Sequence, residues 1–565
     1  MSDNIHPTTA NRFVDAYKPD ALELEIFRYA MESVVDEIDV NITRTAFSPL
    51  IYEYKDYCTG FLTRDFKLLC QSPNSLPMFL ADLGGPVKDS VSVVGEDQIE
   101  EGDILFSNFA AVCGQHLNNV VAAMPVFDSQ GIAGYVAIRM HWIDVGGLVP
   151  GSTSWDARSI LHEGFQLRGV RIVRRGRVVP ELLATIQANT WQPEPVTGDL
   201  MAQIGACKLG AQRWRERLGG RWTSEERDVL AQVQFAASDR LVRGKVREFP
   251  DGEYCAECRT DDAGLPGSAP LLLKVKLIVD GDIMAVDLSG LPPQSEAPIN
   301  TGVNGGAVSA MRCAFKSVLA PDHPADEGMF ECLEVRIPAG TILSAVDNAP
   351  MGYWNATMPT MVDLFVKAVG ERLPERVPAG HHGTVGIVAM RGRKPDGSWW
   401  TYLDTSNGGF GASADRDGYG PLKTICHGDN PCIPVELAEG RCPIRFHEHR
   451  LLREAGGRGL HRGGPGTLRT IEILQAGTVD LSFDRTIDPP WGLAGGEPGE
   501  PGGALLKRPG EDSWAAYRKI SSLQLEPGTL IQIRNGGGGG WGHRELITRS
   551  IGAEVANQGA GRFER

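Results

Sequence analysis

Three short stretches of this chain carry residue types that can do chemistry. IYEYKDYC holds Asp56, on what reads as a short strand; GQHLNN holds His116 and Asn119; RMHWIDVGG holds His141 and Asp144. The histidines at 116 and 141 fall on segments that read as neighbouring strands or loops. Two imidazoles and a carboxylate suit a borderline divalent metal, zinc or manganese. They suit a general acid/base pair equally well, and two histidines satisfied within the core are the plain structural alternative. Asp56, His116, Asn119 and His141 are the candidate metal set. His141 and Asp144 are the candidate catalytic pair, with Asp144 expected to orient an imidazole through its other ring nitrogen. A further pair, His381-His382, has ring directions that diverge if the backbone is extended, so at most one of them can serve a given site.

Other chemistry is missing from the sequence. The Gly-Lys of a phosphate loop occurs only as Gly244-Lys245, followed by Val246 rather than Ser or Thr. The run Gly536–Gly540 leads into no helix start and reads as a tight surface turn. No G-x-S-x-G elbow and no H-E-x-x-H are present. The 11 cysteines are odd in number and scattered, so they form no disulfide framework. Cys255 and Cys258 lack a second pair at zinc-ribbon spacing and read as two thiols on one strand.

Those residues need a large scaffold, and 565 residues supply one. Single cores stop growing near ~250–300 residues, so several domains are expected. The fold class is α+β. The boundaries are an arm at 1–19, an N-terminal α+β domain at 20–250 carrying the site, a central α+β domain at 251–380, a glycine-rich β domain at 381–550 and a tail at 551–565. Asp20 and Glu23 have capping-box spacing, and Phe27, Met31, Val34, Val35 and Ile38 recur at helical spacing, with Glu32, Asp36 and Asp39 on the outer face. Pro49 marks the exit into short strands. Val120–Phe127 and Gly134–His141 form two apolar runs around a turn at Asp128–Gly131. Two helices are expected near 199–218 and 224–243, the second capped by Thr223 and Glu226, and two more at 303–319 and 357–373. Asp280-Gly281 turns a hairpin. The order is not an alternating β-α-β one, which argues against a doubly wound sheet.

The net charge of −15 and the lack of a Lys/Arg run exclude a nucleic-acid partner. Met1 to Asn11 is polar, without the apolar core of a signal peptide, and no run of about 18 apolar residues is present to span a membrane. A cytoplasmic enzyme or enzyme subunit is expected.

Taken in order, the motifs resemble the hydantoinase B/oxoprolinase family. ELEIFRYAMESVVDEIDVNITRTAFSPLIYEYKDYCTGF looks like its opening helix, R-T-A-x-S-P turn and Asp-bearing strand. EGDILFSNFAAVCGQHLNN is similar to its G-D-x-x-x-x-N-D-P-Y…H-L-P-D stretch, and RMHWIDVGG with the following PGS to its H-H-x-D-x-G-G…P-G-S. Arg372 to Ala379, NPCIPVE at 430–436, GGRGLHRGGPGTLR, PPWGLAGGEPG and NGGGGGWG follow in the family's order, so the resemblance runs from about residue 20 to about 545.

The resemblance implies a B-type subunit of an ATP-dependent hydantoinase, oxoprolinase or caprolactamase, or of an acetone or acetophenone carboxylase. It implies an A-type partner that binds ATP with magnesium and phosphorylates an amide or enol oxygen, in a hetero-oligomer built on a dimer. The B-type protein then supports hydrolysis of the cyclic amide or carboxylation of the ketone carbon; a third alternative is a scaffold that has lost catalysis. Carried over, the metal ligands are Asp56, His116, position 119 and His141. Three positions depart from the pattern: Asn119 stands where Asp is usual, residues 108–111 read N-F-A-A for N-D-P-Y, and Trp142 replaces a second His. A cation here meets less negative charge and fewer ligands than in the family at large.

Overall fold

The expected N-terminal helix forms as Ala21–Thr45 (α1). The computed structural model describes residues 17–265 and 267–543; most of the expected arm and the whole expected tail lie outside the described residues. Phe27, Met31, Val34, Val35 and Ile38 are all buried. Asp20 caps the helix by accepting from the Glu23 N–H at 2.8 Å. The box does not close, because the Glu23 carboxylate instead accepts from the Trp222 indole N–H at 3.0 Å. The helix phase is as expected, but the expected exposure of Asp39 is not. Asp39 is buried, because the Thr59 hydroxyl (2.7 Å) and the Ser72 hydroxyl both donate to its carboxylate. Pro49 does not lead directly into a strand either. It opens a short helix, Pro49–Tyr52, capped by Ser48, where a residue without an N–H costs nothing.

Seven strands follow: β1 (Tyr57–Thr63), β2 (Leu68–Gln71), β3 (Ile104–Ser107), β4 (Asn119–Asp128), β5 (Gly131–His141), β6 (Val170–Arg174) and β7 (Arg177–Val178). They form one antiparallel sheet in the order β2-β1-β5-β4-β3-β6-β7. Helix α2 (Pro193–Trp214) lies on β4 and β5 and packs in turn against α1. Gly210 permits this closeness, since an added Cβ would meet Ile38 and Val136 at 2.8 Å. Helix α3 (Ser224–Val246) has the complete Thr223–Glu226 capping box.

Strands β8 (Gly252–Arg259), β9 (Leu272–Asp280), β10 (Ile283–Asp287) and β11 (Leu333–Arg336) make a second sheet. Alternate residues of β8 and β9 are buried under helix α5 (Met358–Arg372), which packs beside α4 (Ser309–Leu319). Cys255 is exposed and Cys258 buried, on opposite faces of β8. The β10–β11 pair is parallel; the other strand pairs among the described residues are antiparallel, in keeping with an α+β chain.

The C-terminal part contains two sheets packed face to face. One is ordered β13 (Trp399–Asp404), β12 (Ile387–Arg393), β16 (Gly477–Ser482), β19 (Lys519–Leu525). The other is ordered β14 (Ile444–Leu452), β15 (Gly466–Ile473), β20 (Leu530–Asn535), β17 (Gly503–Lys507), β18 (Ala515–Tyr517). Val388, Met390 and Leu481 meet Ile471, Ile473 and Ile533 between them.

Gly536–Gly540 is not the surface turn expected from sequence. All five residues are buried. Their backbones bond to several surrounding segments: Gly538 N–H to Gly464, Gly539 N–H to Gly380, Gly540 N–H to Glu497, and their carbonyls to Gly457, Ala412 and Leu493. An added Cβ would collide with the Phe410 carbonyl at Gly538 and the Trp491 carbonyl at Gly539. Glycine is required here for close backbone approach, not for positive φ.

Candidate functional site

Antiparallel register builds the site. Asn119 opens β4 and pairs directly with His141, which closes β5. On the other side of β5, Tyr57 pairs with Met140, and the His141 N–H donates to the Asp56 carbonyl at 3.0 Å. The entry to β1, the exit of β5 and the entry to β4 therefore sit at one end of the sheet. His116 joins them from the turn before β4, where its carbonyl accepts from the Asn119 N–H at 3.3 Å; its ring lies 4.7 Å from that of His141. Gln203 on α2 fixes this end, donating to the carbonyls of Val120 (3.0 Å) and Ile138 (2.8 Å) and accepting from the Trp142 indole (3.0 Å).

Asp56, His116, Asn119 and His141 line a single cavity of about 40 Å³. Its other walls come from distant sequence: Gly352, Trp354 and Asn355, Val385 and Ile387, Leu403 to Thr405, and His427. The Trp354 ring stands edge-on to His116 at 5.8 Å and lies parallel to His427 at 6.3 Å. A far larger open trough of about 1110 Å³ runs beside Phe47, Gly198 and Met201. Its lining holds no cluster of titratable groups, so the smaller cavity is the candidate for chemistry.

Each of the four residues leaves a buried polar atom without a hydrogen-bond partner: Asp56 Oδ1, His116 Nε2, Asn119 Oδ1 and His141 Nδ1. Such atoms are costly unless something binds them. The Asn119 amide is oriented by Gln115, whose Oε1 accepts from Nδ2 at 2.6 Å, leaving Oδ1 as the free end. Burial pushes the Asp56 carboxyl up to about 7. It pushes His141 down to about 4 and His116 well below the usual imidazole range, with His141 reinforcing the effect on His116. Both rings are neutral near pH 7, the form that ligates a metal. Among the described residues no group of three or more His, Cys, Asp or Glu side chains is placed so that it could hold a metal ion by itself. The donor set is instead two neutral imidazoles, one carboxylate poised between its two forms and one amide oxygen, which fits a divalent cation chemically.

Asp144 does not do what its position suggested. Its carboxylate accepts from the N–H groups of Gly146 (2.8 Å), Gly151 (2.8 Å) and Trp191 (3.0 Å), and no histidine ring is among its partners. Gly146 and Gly147 have φ of 84° and 86°, so Asp144 organises a left-handed turn just past His141. The Asp-x-Gly-Gly pattern was the available signal for that role. His381 and His382 lie outside the cavity lining: His381 pairs with Asp363 at 3.1 Å in a buried network with Arg485 and Trp491.

Sequence reasoning missed Trp354, Asn355, Thr405 and His427, which have no motif of their own. It also missed Glu163, a buried carboxylate that accepts from the Met351 and Gly352 N–H groups at 2.7 Å and so holds the Gly352–Asn355 wall in place. Burial pushes its carboxyl up to about 8.

The family model described as hydantoinase B/oxoprolinase matches residues 20–544. The chain is 28% identical to the caprolactamase beta subunit of Pseudomonas jessenii over 95% of this chain and 94% of that one. The crystal structure of the ATP-dependent caprolactamase from that organism superposes with a TM-score of 0.86 at 26% identity, covering 96% and 94% of the two chains. The B component of a putative D-/L-hydantoinase from a Pseudomonas species is 27% identical over 94% of this chain and 91% of its own length. A nucleotide-free acetone carboxylase shares the fold, with a TM-score of 0.83 at 16% identity over 92% and 76% of the chains. The ordered motifs, the whole-length match and the shared architecture agree: the chain belongs to the hydantoinase B/oxoprolinase family.

Proposed function

We propose that this chain is the B-type subunit of an ATP-dependent complex that hydrolyses a cyclic amide of the hydantoin, oxoproline or lactam type. The observation that carries the reading is the cavity at the β1–β5–β4 sheet end, where four buried polar atoms of Asp56, His116, Asn119 and His141 lack partners. Whole-length similarity to a caprolactamase beta subunit and to the B component of a putative hydantoinase supports the reaction class.

The four residues would hold a divalent cation, with zinc favoured by the two imidazoles and manganese the alternative. Bound there, the cation would supply Lewis acidity toward the reacting oxygen. His141 and His116 enter the reaction neutral, and Asn119 presents its carbonyl because Gln115 holds its amide hydrogens. Trp354, Leu50 and Leu403 supply apolar wall to the cavity. ATP with magnesium belongs on a separate A-type partner, in a cytoplasmic hetero-oligomer built on a dimer. Support for that division is the lack of a phosphate loop in this sequence. No helix among the described residues is long and apolar enough to cross a membrane.

The fold shared with acetone carboxylase favours a second reading, ATP-dependent carboxylation of a ketone. Assaying the complex against cyclic amides, and against ketones with bicarbonate, separates the two. Ring opening coupled to ATP consumption is expected. ATP-coupled carboxylation without ring opening would replace the hydrolase reading, and neither reaction in a metal-loaded complex would leave the scaffold reading.

A further inference from the structure

The Asn119 amide takes its direction from groups that can play only one hydrogen-bonding role. Arg139 stands two residues before His141 on β5 and so faces the same side of the sheet. Its guanidinium can only donate. The side chain is buried, lies 3.0 Å from the buried Asp82 carboxylate, and reaches to 3.5 Å from Gln115 Oε1. The Gly305 carbonyl, in the turn leading into α4, can only accept, and it takes an N–H of Gln115 Nε2 at 2.9 Å. A donor-only group at one end and an acceptor-only group at the other fix the buried Gln115 amide in one sense. Reversed, its NH2 would meet the guanidinium and its oxygen would meet the Gly305 carbonyl. Oε1 therefore faces Asn119, accepts from Nδ2 at 2.6 Å, and leaves Asn119 Oδ1 as the unpartnered end. Asn119 lines the cavity; Gln115 stands behind it, outside the lining.

We propose that Gln115 is a positioning residue that selects the kind of oxygen position 119 offers: the neutral oxygen of an amide in preference to a carboxylate. Its Oε1 bonds an N–H on the near side of residue 119 and would repel a second carboxylate oxygen placed there. The proposal rests on the reading that the cavity holds a divalent cation. It adds what the Gln115–Asn119 pair does for that centre. Asp56 is the single carboxylate among the four donors, so a divalent cation held there keeps a net positive charge, which a carboxylate at 119 would cancel. Asn119 and Gln115 thus work as a matched pair, and replacing one should change what the other contributes.

Zinc calorimetry on the full chain tests this in two backgrounds, wild type and Asn119→Asp. In wild type, Gln115→Met frees the Asn119 amide to turn, and zinc affinity should fall at least about fivefold, the equivalent of one neutral hydrogen bond. In the Asn119→Asp background the same change removes an opposing carbonyl, and both ends of the carboxylate are oxygens, so affinity should hold or rise. A side chain that merely packs would lower both alike. Gln115→Glu keeps an accepting oxygen opposite the Asn119 amide and carries the test where Gln115→Met does not fold. It should hold zinc within about threefold of wild type, yet weaken the Asn119→Asp chain at least about fivefold by setting two carboxylates together. Equal changes in the two backgrounds, from either variant, overturn the proposal, as does undiminished zinc affinity in Gln115→Met. A wild-type chain that takes up neither zinc nor manganese overturns the metal reading itself, and this proposal with it.

Discussion

Asn119 and His141 are register partners across the β4–β5 hairpin, so their side chains emerge side by side from the same end of the sheet. With Asp56 at the entry to β1 bonded through its carbonyl to the His141 N–H, the β1–β5–β4 pairing places three of the four candidate ligands. Asn119→Asp should therefore raise affinity for a divalent cation at least about tenfold, or ~1.4 kcal/mol, by adding a charge where an amide oxygen now points. Calorimetry with zinc and manganese, backed by elemental analysis, measures this. A weaker site in Asn119→Asp would show that the Oδ1 direction is not toward the cation.

Metal uptake should depend on pH through Asp56. Its carboxyl is raised to about 7 by burial, so below that pH a proton must leave before the carboxylate can ligate. Apparent affinity should rise about tenfold per pH unit up to about 7 and then level off, since both imidazoles are already neutral there. Asp56→Asn should flatten the profile and weaken binding. A flat wild-type profile between pH 5.5 and 7 would contradict the assignment.

Asp199 gives a separate pH signature in stability. On α2, it accepts from the Phe47 (2.8 Å) and Ser48 (3.0 Å) N–H groups through Oδ1, leaving Oδ2 unpartnered. Burial raises its carboxyl to about 6, above the unfolded value near ~3.9. The native state then binds more protons than the unfolded chain between those values. Its contribution is present below pH ~4 and is lost as pH rises through about 6, on the order of 3 kcal/mol. Asn keeps the accepting oxygen, so Asp199→Asn should remove this component. Denaturant melts of the two proteins at pH 4.5 and 7.5 should diverge in favour of Asn at the higher pH; parallel melts would refute it.

Gly538→Ala should destabilise by at least about 3 kcal/mol or abolish folding, because its Cβ collides with the Phe410 backbone rather than a movable side chain. Gly281→Asn is the control: φ is 59° and nothing lies within 4 Å, so a loss under about 1 kcal/mol is expected. Thermal melts compare them. Equal, mild losses would mean that the buried glycine hub is not needed for the fold.

Much of this arrangement was legible in the sequence, for identifiable reasons. Period-3.6 spacing located α1, and two apolar runs around Asp128–Gly131 located the hairpin whose register joins Asn119 to His141. Local pattern failed wherever the partner was distant. Asp39 looked like a surface carboxylate because Thr59 and Ser72, which satisfy it, lie in other elements. The glycine run looked like a turn because nothing local distinguishes positive φ from close backbone approach. Asp144 looked like the orienting partner of an imidazole, but its partners are three backbone N–H groups. The Trp354 and His427 walls reach the cavity from far along the chain, and no local spacing announces that.

The most direct test of the proposed division of labour is substrate-stimulated ATP turnover by the chain co-purified with its A-type partner, measured for wild type and His116→Ala alongside metal content. Wild type alone should hydrolyse no ATP. The complex should turn over ATP in step with ring opening, and His116→Ala should lose both its metal and product formation while still assembling. Substantial ATP hydrolysis by the isolated chain, or full product formation by a metal-free His116→Ala complex, would contradict it.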